Sequence, residues 1–316
     1  MQTLPFSADT PWLAPLAGYS DLPFRILCRE NGAACCTTEM VSAKGLFYKS
    51  PGTWPLLQTV AGDAPLIVQL FGSEACYLKY AVVELRKKGF EYFDLNIGCS
   101  VPKVMRQGAG AGMLRDPENI LVCAKAMLDE AGLGKVGFKL RTGIDSGHSV
   151  IPDLPLRLQE LGAGWITLHP RFANQSFRGE ADWSLLKSLA EKLSIPLVGS
   201  GDLLTAALGV RCIQETGVAT VMYARGALAK PSIFLDHKRL VRGEPVYEMT
   251  SGELKALLLR HLRLAREWTR GKNPEKRIRG LLAAHVHSLP NAKNLRADLC
   301  RDDAEAIETI LDRWIP

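Results

Sequence analysis

Apolar and polar positions follow two alternating rhythms from the start of the chain to about residue 240. Short apolar runs bounded by glycine, proline or polar residues are typical of buried strands, and amphipathic runs of helical periodicity separate them. The pattern predicts eight strands: Trp12–Ala17, Ala34–Glu39, Leu66–Phe71, Tyr92–Ile97, Val136–Arg141, Trp165–His169, Leu197–Gly201 and Ala219–Ala224.

The intervening amphipathic runs have the length and periodicity of helices. They include Glu74–Lys88, Asn119–Glu130, Leu154–Leu161 and Ser184–Leu193. Strand-then-helix units in series predict a parallel sheet, and eight such units favour closure into a (β/α)8 TIM barrel over a doubly wound open sheet. The fold class is therefore α/β.

The strand pattern stops near Gly243, and the remainder is helical. We predict a barrel domain over 1–240 and a helical domain over 241–316, with helices Gly252–Arg270, Pro274–Ser288 and Asn291–Trp314. Nine Lys and Arg lie between 255 and 279, against Glu267 and Glu275: residues 255, 260, 263, 266, 270, 272, 276, 277 and 279. This density fits a phosphate-contacting face and an ordinary solvated helix surface equally well.

Composition narrows the class of protein. Of 316 residues, 47% are hydrophobic and 23% charged, as in soluble globular proteins. No apolar run approaches the roughly 20 residues of a membrane span, and the N-terminus lacks the features of a secretory signal, so we expect a cytoplasmic protein. Eight scattered cysteines without CxxC or Cys/His ligand spacing predict neither a metal site nor a disulfide framework. The net charge of +6 permits a polyanionic partner.

Polar side chains stand at the predicted carboxyl ends of the strands, where barrels of this kind carry their active sites. They include Gln69, Asn96, Cys99, Lys139, Arg141, His169 and Arg171. Small residues follow strands seven and eight, in Gly199-Ser200-Gly201-Asp202 and Ala224-Arg225-Gly226. Such loops let backbone N–H groups approach a phosphate, so they predict a phosphate-bearing cofactor.

Three side chains have competing interpretations at this point. Lys139 on a buried strand must meet an anion or an electron-rich group. That group is either a flavin ring or a carbonyl substrate in a Schiff base. Cys99 alone is more simply a small buried hydrophobe. His169 is as readily structural as functional.

The ordered motifs together resemble the flavin-dependent tRNA-dihydrouridine synthase family over most of the chain. They are Ala14-Pro15-Leu16-Ala17-Gly18, Glu39-Met40-Val41-Ser42-Ala43-Lys44-Gly45, Gln69-Leu70-Phe71-Gly72-Ser73, Asp94-Leu95-Asn96-Ile97-Gly98-Cys99, Lys103-Val104 with Gly108-Ala109-Gly110, Lys139-Leu140-Arg141-Thr142-Gly143, Gln175-Ser176-Phe177 with Ala181-Asp182-Trp183, Ser200-Gly201-Asp202, Ala224-Arg225-Gly226, and Arg279 with Leu295-Arg296 in the tail. Ser100 departs from the family, which usually has proline after the cysteine; Pro102 follows two residues later.

The resemblance implies a flavin-binding barrel followed by a helical RNA-binding domain. Bound FMN would be reduced by NADPH and would pass hydride to C6 of specific uridines in tRNA, with ribosomal RNA as the alternative substrate. A cysteine would protonate C5, and by position that cysteine is Cys99. An ordinary thiol suits this role because it is mostly protonated at neutral pH. We further expect a monomer.

The resemblance also assigns residues. FMN would be held by Pro15, Leu16, Ala17, Gln69, Lys139, His169, Ser200, Gly201, Asp202, Ala224 and Arg225. Asn96 and Arg141 would face the uridine, and Lys103, Arg106 and the basic helical face with Arg279 would hold the RNA backbone. Two other functions compete: an aldolase using Lys139 as Schiff base, and a non-catalytic RNA-binding protein with a degenerate barrel. The aldolase leaves Cys99, Gln69 and the basic helices unexplained, and the intact Cys99 and cofactor loops argue against the non-catalytic protein.

Overall fold

The computed structural model describes residues 3–269, 274–286, 292–301 and 306–315. Several predicted features fall outside these ranges. They are the helix ends at Arg270, Ser288 and Asn291 and the basic residue Lys272. The side chains of Pro274, Lys276 and Arg277 are likewise outside the description.

Eight parallel strands close into a barrel, which confirms the predicted (β/α)8 fold. Each strand pairs with the next along the chain, and β8 pairs back with β1 through Trp12 and Met222. A two-residue segment, Val41–Ser42, also runs beside β3. The strands are β1 Trp12–Leu13, β2 Cys35–Thr37, β3 Leu66–Phe71, β4 Tyr92–Ile97, β5 Val136–Gly143, β6 Trp165–Phe172, β7 Leu197–Gly199 and β8 Thr220–Tyr223.

Two differences in strand length affect the site. The predicted first strand, to Ala17, ends at Leu13, because the chain turns where the N–H groups of Tyr19 and Ser20 bond to the carbonyl of Leu16. In contrast, β5 and β6 run past their predicted ends at Arg141 and His169. The extension of β6 keeps Arg171 within the strand, so the strand fixes the side of the sheet from which the Arg171 side chain projects.

Helices follow the strands as predicted, with small shifts at their ends. The described residues form α1 Leu22–Glu30, α2 Ala43–Phe47, α3 Ala75–Lys87, α4 Pro102–Met105, α5 Pro117–Ala131, α6 Asp153–Glu160, α7 Trp183–Ala190, α8 Ala206–Thr216, α9 Arg225–Ala229, α10 Ile233–Val241, α11 Ser251–Trp268, α12 Pro274–His285, α13 Ala292–Cys300 and α14 Ile307–Trp314. None of them combines the length and apolarity that a bilayer span requires. The predicted single helix Asn291–Trp314 is wrong, since α13 and α14 are separate helices.

The barrel interior is apolar at the amino ends of the strands. Trp12, Tyr92 and Trp165 fill it, and the rings of Trp12 and Trp165 meet edge-on at 6.0 Å. Gly137 makes room for them, because a Cβ there would lie 1.9 Å from the Trp165 ring. Large apolar side chains thus fill the barrel at the amino ends of the strands, and the polar site residues lie at the carboxyl ends.

The C-terminal helices join the barrel through α11. A capping box between Thr250 and Glu253 begins this helix. Leu257 and Leu264 pack into the barrel's core, whereas Leu258 packs into a separate cluster with α12, α13 and α14. The predicted domain boundary at 240/241 falls at the end of α10 and stays a prediction.

Candidate active site

A cleft of about 260 Å³ opens at the carboxyl ends of the strands. Most of the predicted site residues line it, so the structure brings together side chains from six different strand ends. They are Pro15, Leu16, Ala17, Asn96, Cys99, Lys139, Arg141, His169, Ser200, Gly201, Asp202, Ala224 and Arg225. Gln69, Lys103, Arg106 and Arg279 do not line the cleft.

Cys99 stands at the cleft in a loop that Asn96 organises. Asn96 is the last residue but one of β4, and its side chain is buried. Its Oδ1 accepts the N–H of Gly98 at 3.1 Å and that of Cys99 at 2.9 Å. Gly110 fits against the same loop, because a Cβ there would lie 2.7 Å from the Cys99 carbonyl oxygen. The thiol remains partly exposed. The loop therefore presents Cys99 in one backbone arrangement.

Gln69 does not line the cleft; it lies beneath Asn96, which does. Its Oε1 accepts the Asn96 Nδ2–H at 2.8 Å, and its Nε2 donates to Asp94 Oδ2 at 2.6 Å. The side chain is fully buried. These bonds form a buried chain from Asp94 through Gln69 and Asn96 to the backbone of Cys99. As an FMN contact, Gln69 stays a prediction.

Lys139 lies beside this chain on the adjacent strand β5, where it pairs in register with Asn96 of β4. Burial lowers the pKa of Lys139 and raises that of Asp94, while their opposite charges counter both shifts. Asp94 Oδ1 is buried without a hydrogen-bond partner. Among the described residues, no hydrogen bond or ion pair satisfies the Lys139 ammonium. An unpaired cation at the base of a cleft calls for an anionic or electron-rich ligand.

Arg141 joins the loops around the cleft. Its Nε donates to the carbonyl of Gly98 at 3.0 Å, and its Nη1 donates to the carbonyls of Phe172 and Ser176 at 3.0 and 2.8 Å. Burial lowers the pKa of this guanidinium to about 10. Arg141 thus fastens the Cys99 loop to the loop after β6, in addition to lining the cleft.

His169 is buried, and a neighbouring arginine fixes its tautomer. Arg171 Nη1 lies 3.1 Å from His169 Nε2, and a guanidinium can only donate. Nε2 is therefore the acceptor, and the ring proton is on Nδ1. Burial and the nearby cations of Lys139, Arg141, Arg171 and Arg225 lower the pKa of His169 to about 2. Neutral His169 can therefore offer one N–H to a ligand.

Asp202 is held by two arginines. Arg171 donates two hydrogen bonds to the carboxylate, at 2.8 and 2.6 Å. Arg225 donates a third at 3.2 Å, and the N–H of Ala181 donates a fourth at 2.8 Å. Burial alone would raise the pKa of Asp202, but these bonds and charges lower it. The side chain of Asp202 orients cations around the cleft; as a direct FMN contact, Asp202 stays a prediction.

Small residues keep the strand-seven and strand-eight loops open. Gly201 has φ +108°, and a Cβ there would lie 2.8 Å from the His169 ring. Helix α9 begins at Arg225, directly after β8, and the first N–H groups of a helix lack acceptors within it. The two loops therefore suit a close-lying anion, as the sequence predicts.

The predicted RNA-contacting residues outside the cleft fall into two groups. Lys103 and Arg106 are exposed on and after α4, in the loop that follows Cys99. In the tail, Arg260 pairs with Glu30 at 2.6 Å, Arg266 with Glu275 and Glu308, and Lys255 with Asp312. Arg279 donates to the Leu299 carbonyl at 3.1 Å. Several cations of the predicted basic face thus stabilise the fold.

Three residues of the site had no role assigned from sequence: Asp94, Arg171 as the partner of Asp202, and Phe177. Phe177 lines the cleft, 60% exposed, with the Arg225 guanidinium 5.0 Å from its ring centre. Period-two alternation was the available signal for a role of the first two, because Asp94 precedes Asn96 by two residues and Arg171 follows His169 by two. Phe177 belongs to a loop and follows no such periodicity.

Comparisons with known proteins agree with this geometry. The family model for dihydrouridine synthase (Dus) matches residues 12–311. A probable tRNA-dihydrouridine synthase of Rhizobium leguminosarum is 33% identical over 219 residues, which cover 69% of this chain and 68% of that protein. A probable tRNA-dihydrouridine synthase 1 of Synechocystis is 30% identical, covering 90% and 80%. One of Aquifex aeolicus is 29% identical, covering 95% and 96%.

The family match spans the barrel and the helical tail, and it includes the cleft and the loop that carries Cys99. The chain belongs to the dihydrouridine synthase family.

Proposed function

We propose that this protein is an FMN-dependent tRNA-dihydrouridine synthase that uses NADPH as reductant. The observation that carries the proposal is the position of Cys99. Its partly exposed thiol lines the same cleft as the unpaired Lys139 ammonium and the two small-residue loops. Relatives named as tRNA-dihydrouridine synthases support tRNA as the substrate.

The residues present fit FMN at both ends. The ammonium of Lys139 needs an electron-rich partner, and a reduced flavin ring carries negative charge near N1. At the other end, Gly201 and Ala224 leave room for a phosphate, with Arg225 and the neutral His169 as donors. Pro15, Leu16 and Ala17 would cover a ring face. When bound, FMN supplies the hydride for uridine C6 after reduction by NADPH.

The protein's own residues then have defined tasks. Arg141 and Asn96 fix the loop, and the Cys99 thiol gives its proton to uridine C5, so that an S–H bond breaks as a C–H bond forms. Cys99 is left as a thiolate and regains a proton from solvent at the open side of the cleft. The target uridine must leave its stack to reach this position. Lys103 and Arg106 beside Cys99, and Arg279 in the tail, would contact the RNA.

A spectroscopic titration tests this proposal. Purified protein should be yellow, NADPH should bleach the flavin absorbance, and an unmodified tRNA transcript should restore it while dihydrouridine appears. A colourless protein that traps a carbonyl substrate on borohydride treatment would instead favour an aldolase using Lys139. Mapping dihydrouridines in RNA from a deletion strain identifies the uridine and separates tRNA from ribosomal RNA.

Two further expectations accompany the proposal. Cytoplasmic location and a monomeric state remain predictions. Fractionation of cells and light scattering of the purified protein test them.

A further inference from the structure

Four aromatic side chains form an exposed cluster at the rim of the barrel. Phe47 and Tyr48 end α2, and Tyr77 and Tyr80 lie on α3. The ring of Phe47 is 5.0 to 5.1 Å from the other three, and Tyr48 and Tyr77 share a hydroxyl contact at 3.2 Å. Phe47 and Tyr48 are nonetheless 42% and 61% exposed. We call these four residues the aromatic rim.

The aromatic rim stands at the same barrel end as the cleft, because α2 and α3 follow the carboxyl ends of β2 and β3. A groove of about 420 Å³ runs beside it, lined by Lys44 and Tyr77 on one side and Gln107 on the other. Gln107 belongs to the loop that follows Cys99, and its carbonyl accepts the Ser73 hydroxyl at 3.2 Å. The groove thus connects the rim to the loop that presents the thiol.

The groove lies close to the cleft itself. Met40 lines the cleft, and Ser42, two residues further, lines the groove. Two residues of extended chain span roughly 7 Å. A partner with one group in the cleft can therefore place a neighbouring group in the groove.

Cations adjoin the aromatic rim and its groove along the chain, where Lys49 follows Tyr48 and Arg106 precedes Gln107. Lys44 Nζ lies 5.3 Å from the Tyr77 ring centre and also 3.4 Å from Glu74. Lys49, Lys103 and Arg106 are exposed, and within the described part of the chain none of them forms an ion pair. In the tail, Lys255, Arg260 and Arg266 are paired with carboxylates, whereas Arg263 is exposed. Unpaired cations beside exposed aromatic rings fit a polyanion that carries flat apolar groups, which describes an unstacked RNA strand.

We propose that the aromatic rim stacks an unpaired base of the RNA next to the uridine that enters the cleft. The assignment rests on the proposed function for its substrate class. Tyr48 is the principal stacking side chain because it is the most exposed of the four. Lys103 and Arg106 contact the phosphates between the two bases. The aromatic rim therefore keeps the RNA next to the target uridine in its unstacked conformation, beside the cleft.

Binding measurements with Tyr48→Ala test the assignment. Affinity for an unmodified tRNA transcript should fall about tenfold, as for loss of one base–aromatic stack. The salt dependence of binding should keep its slope, since no phosphate contact is lost, whereas replacing Lys103 and Arg106 by glutamine should flatten it. Tyr48→Trp should retain binding, and Val122→Ala, which alters an apolar side chain 58% exposed on α5, should match the wild type.

Each other outcome has a defined meaning. Unchanged RNA affinity in Tyr48→Ala, with unchanged flavin content, overturns the assignment. A loss of self-association in light scattering without any change in RNA affinity would make the rim a contact between copies of the chain. Because affinity is measured rather than turnover, the proposed function can fail separately. In that case the wild type makes no dihydrouridine, yet Tyr48→Ala still binds the transcript more weakly.

Discussion

The side-chain oxygen of Asn96 lies 2.9 Å from the backbone nitrogen of Cys99 and accepts its N–H. The same oxygen accepts the N–H of Gly98. The amide nitrogen of Asn96 is in turn held by Gln69, and Gln69 by Asp94. The position of the thiol is thus set by a buried chain of side chains that runs from Asp94 through Gln69 on the neighbouring strand and back to Asn96.

Asn96→Ala should separate flavin chemistry from uridine chemistry. Removing the acceptor leaves two N–H groups unsatisfied, at a cost of about 1–3 kcal/mol, and the Cys99 loop shifts. We expect reduction of bound FMN by NADPH at the wild-type rate and uridine reduction slowed roughly 10- to 100-fold. Stopped-flow absorbance measures both steps.

Gln69→Leu tests the same chain one step back, because Gln69 does not line the cleft. It should reproduce part of the loss in uridine reduction with an unchanged KM for RNA. The control is Asn119→Ala, which removes a comparable bond to the Ser73 carbonyl away from the cleft. Wild-type rates in both Asn96→Ala and Gln69→Leu would show that the chain does not position Cys99.

Lys139→Met should weaken FMN binding by about 10- to 100-fold, the range for losing a hydrogen bond to a charged group. It should also make the flavin harder to reduce, since no cation then stabilises the negative ring. Lys135→Met is the matched control, because Lys135 lies just before β5 at the opposite barrel end, 4.3 Å from the Tyr92 ring centre. Fluorescence titration and a redox titration measure the two effects; equal values for Lys139→Met and wild type would remove Lys139 from the flavin site.

The strand ends and their chemistry are the part of this site that sequence can predict. The short apolar runs placed Asn96, Lys139 and His169 at or near the ends of strands, and the structure has them there, at the cleft. Side-chain pairing was not predictable, since it depends on neighbours distant in sequence. Asp202 bonds to Arg171 across 31 positions, and Gln69 to Asn96 across 27.

In the basic tail, the unpredictable side-chain pairs remove cations from the predicted RNA-binding face. The density of Lys and Arg between residues 255 and 279 fits a nucleic-acid-binding face and an ordinary solvated surface equally well. Arg260 instead reaches Glu30 on α1, 230 positions away, in a bidentate pair at 2.6 to 3.2 Å. A count of charges along the chain contains no information about such a partner.

Arg171→Lys should weaken FMN binding by roughly tenfold while the fold persists. Lysine cannot form the two-pronged bond to Asp202 or hold His169 Nε2 at the same time. The exposed Arg178, in the loop after β6, supplies the control variant, Arg178→Lys, which should bind FMN normally. Fluorescence titration of the apoprotein measures the affinity, with circular dichroism for the fold. Equal affinity in both variants would show that the Arg171–Asp202 pair is purely structural.

His285 should make the joint between the barrel and the helical tail sensitive to acid. It donates from Nδ1 to the Leu228 carbonyl at 2.7 Å and contacts His261 at 3.2 Å, and burial lowers the pKa of His285 to about 4. The unfolded chain takes up a proton below pH 6.5, while the folded protein resists until about 4. Stability is therefore fully present above pH 6.5 and is lost as the pH falls towards 4.

Denaturant titrations at pH 8 and pH 5 measure this effect. His285→Gln keeps a donor for Leu228 but cannot titrate, so it should reduce the loss of unfolding free energy between the two pH values by about 2 kcal/mol. His148→Gln, a change at an exposed histidine paired with Asp145, should leave the loss unchanged. An identical loss in wild type and His285→Gln would exclude His285 as the titrating group.

Reoxidation of the reduced flavin by tRNA in Cys99→Ala is the most direct test of the account. The variant should bind FMN and tRNA as the wild type does and should accept electrons from NADPH at the same rate. Because an alanine side chain cannot donate a proton, the step in which tRNA restores the flavin absorbance and dihydrouridine forms should be nearly abolished. Wild-type reoxidation by tRNA in this variant would contradict the assignment of Cys99 as the acid that protonates uridine C5.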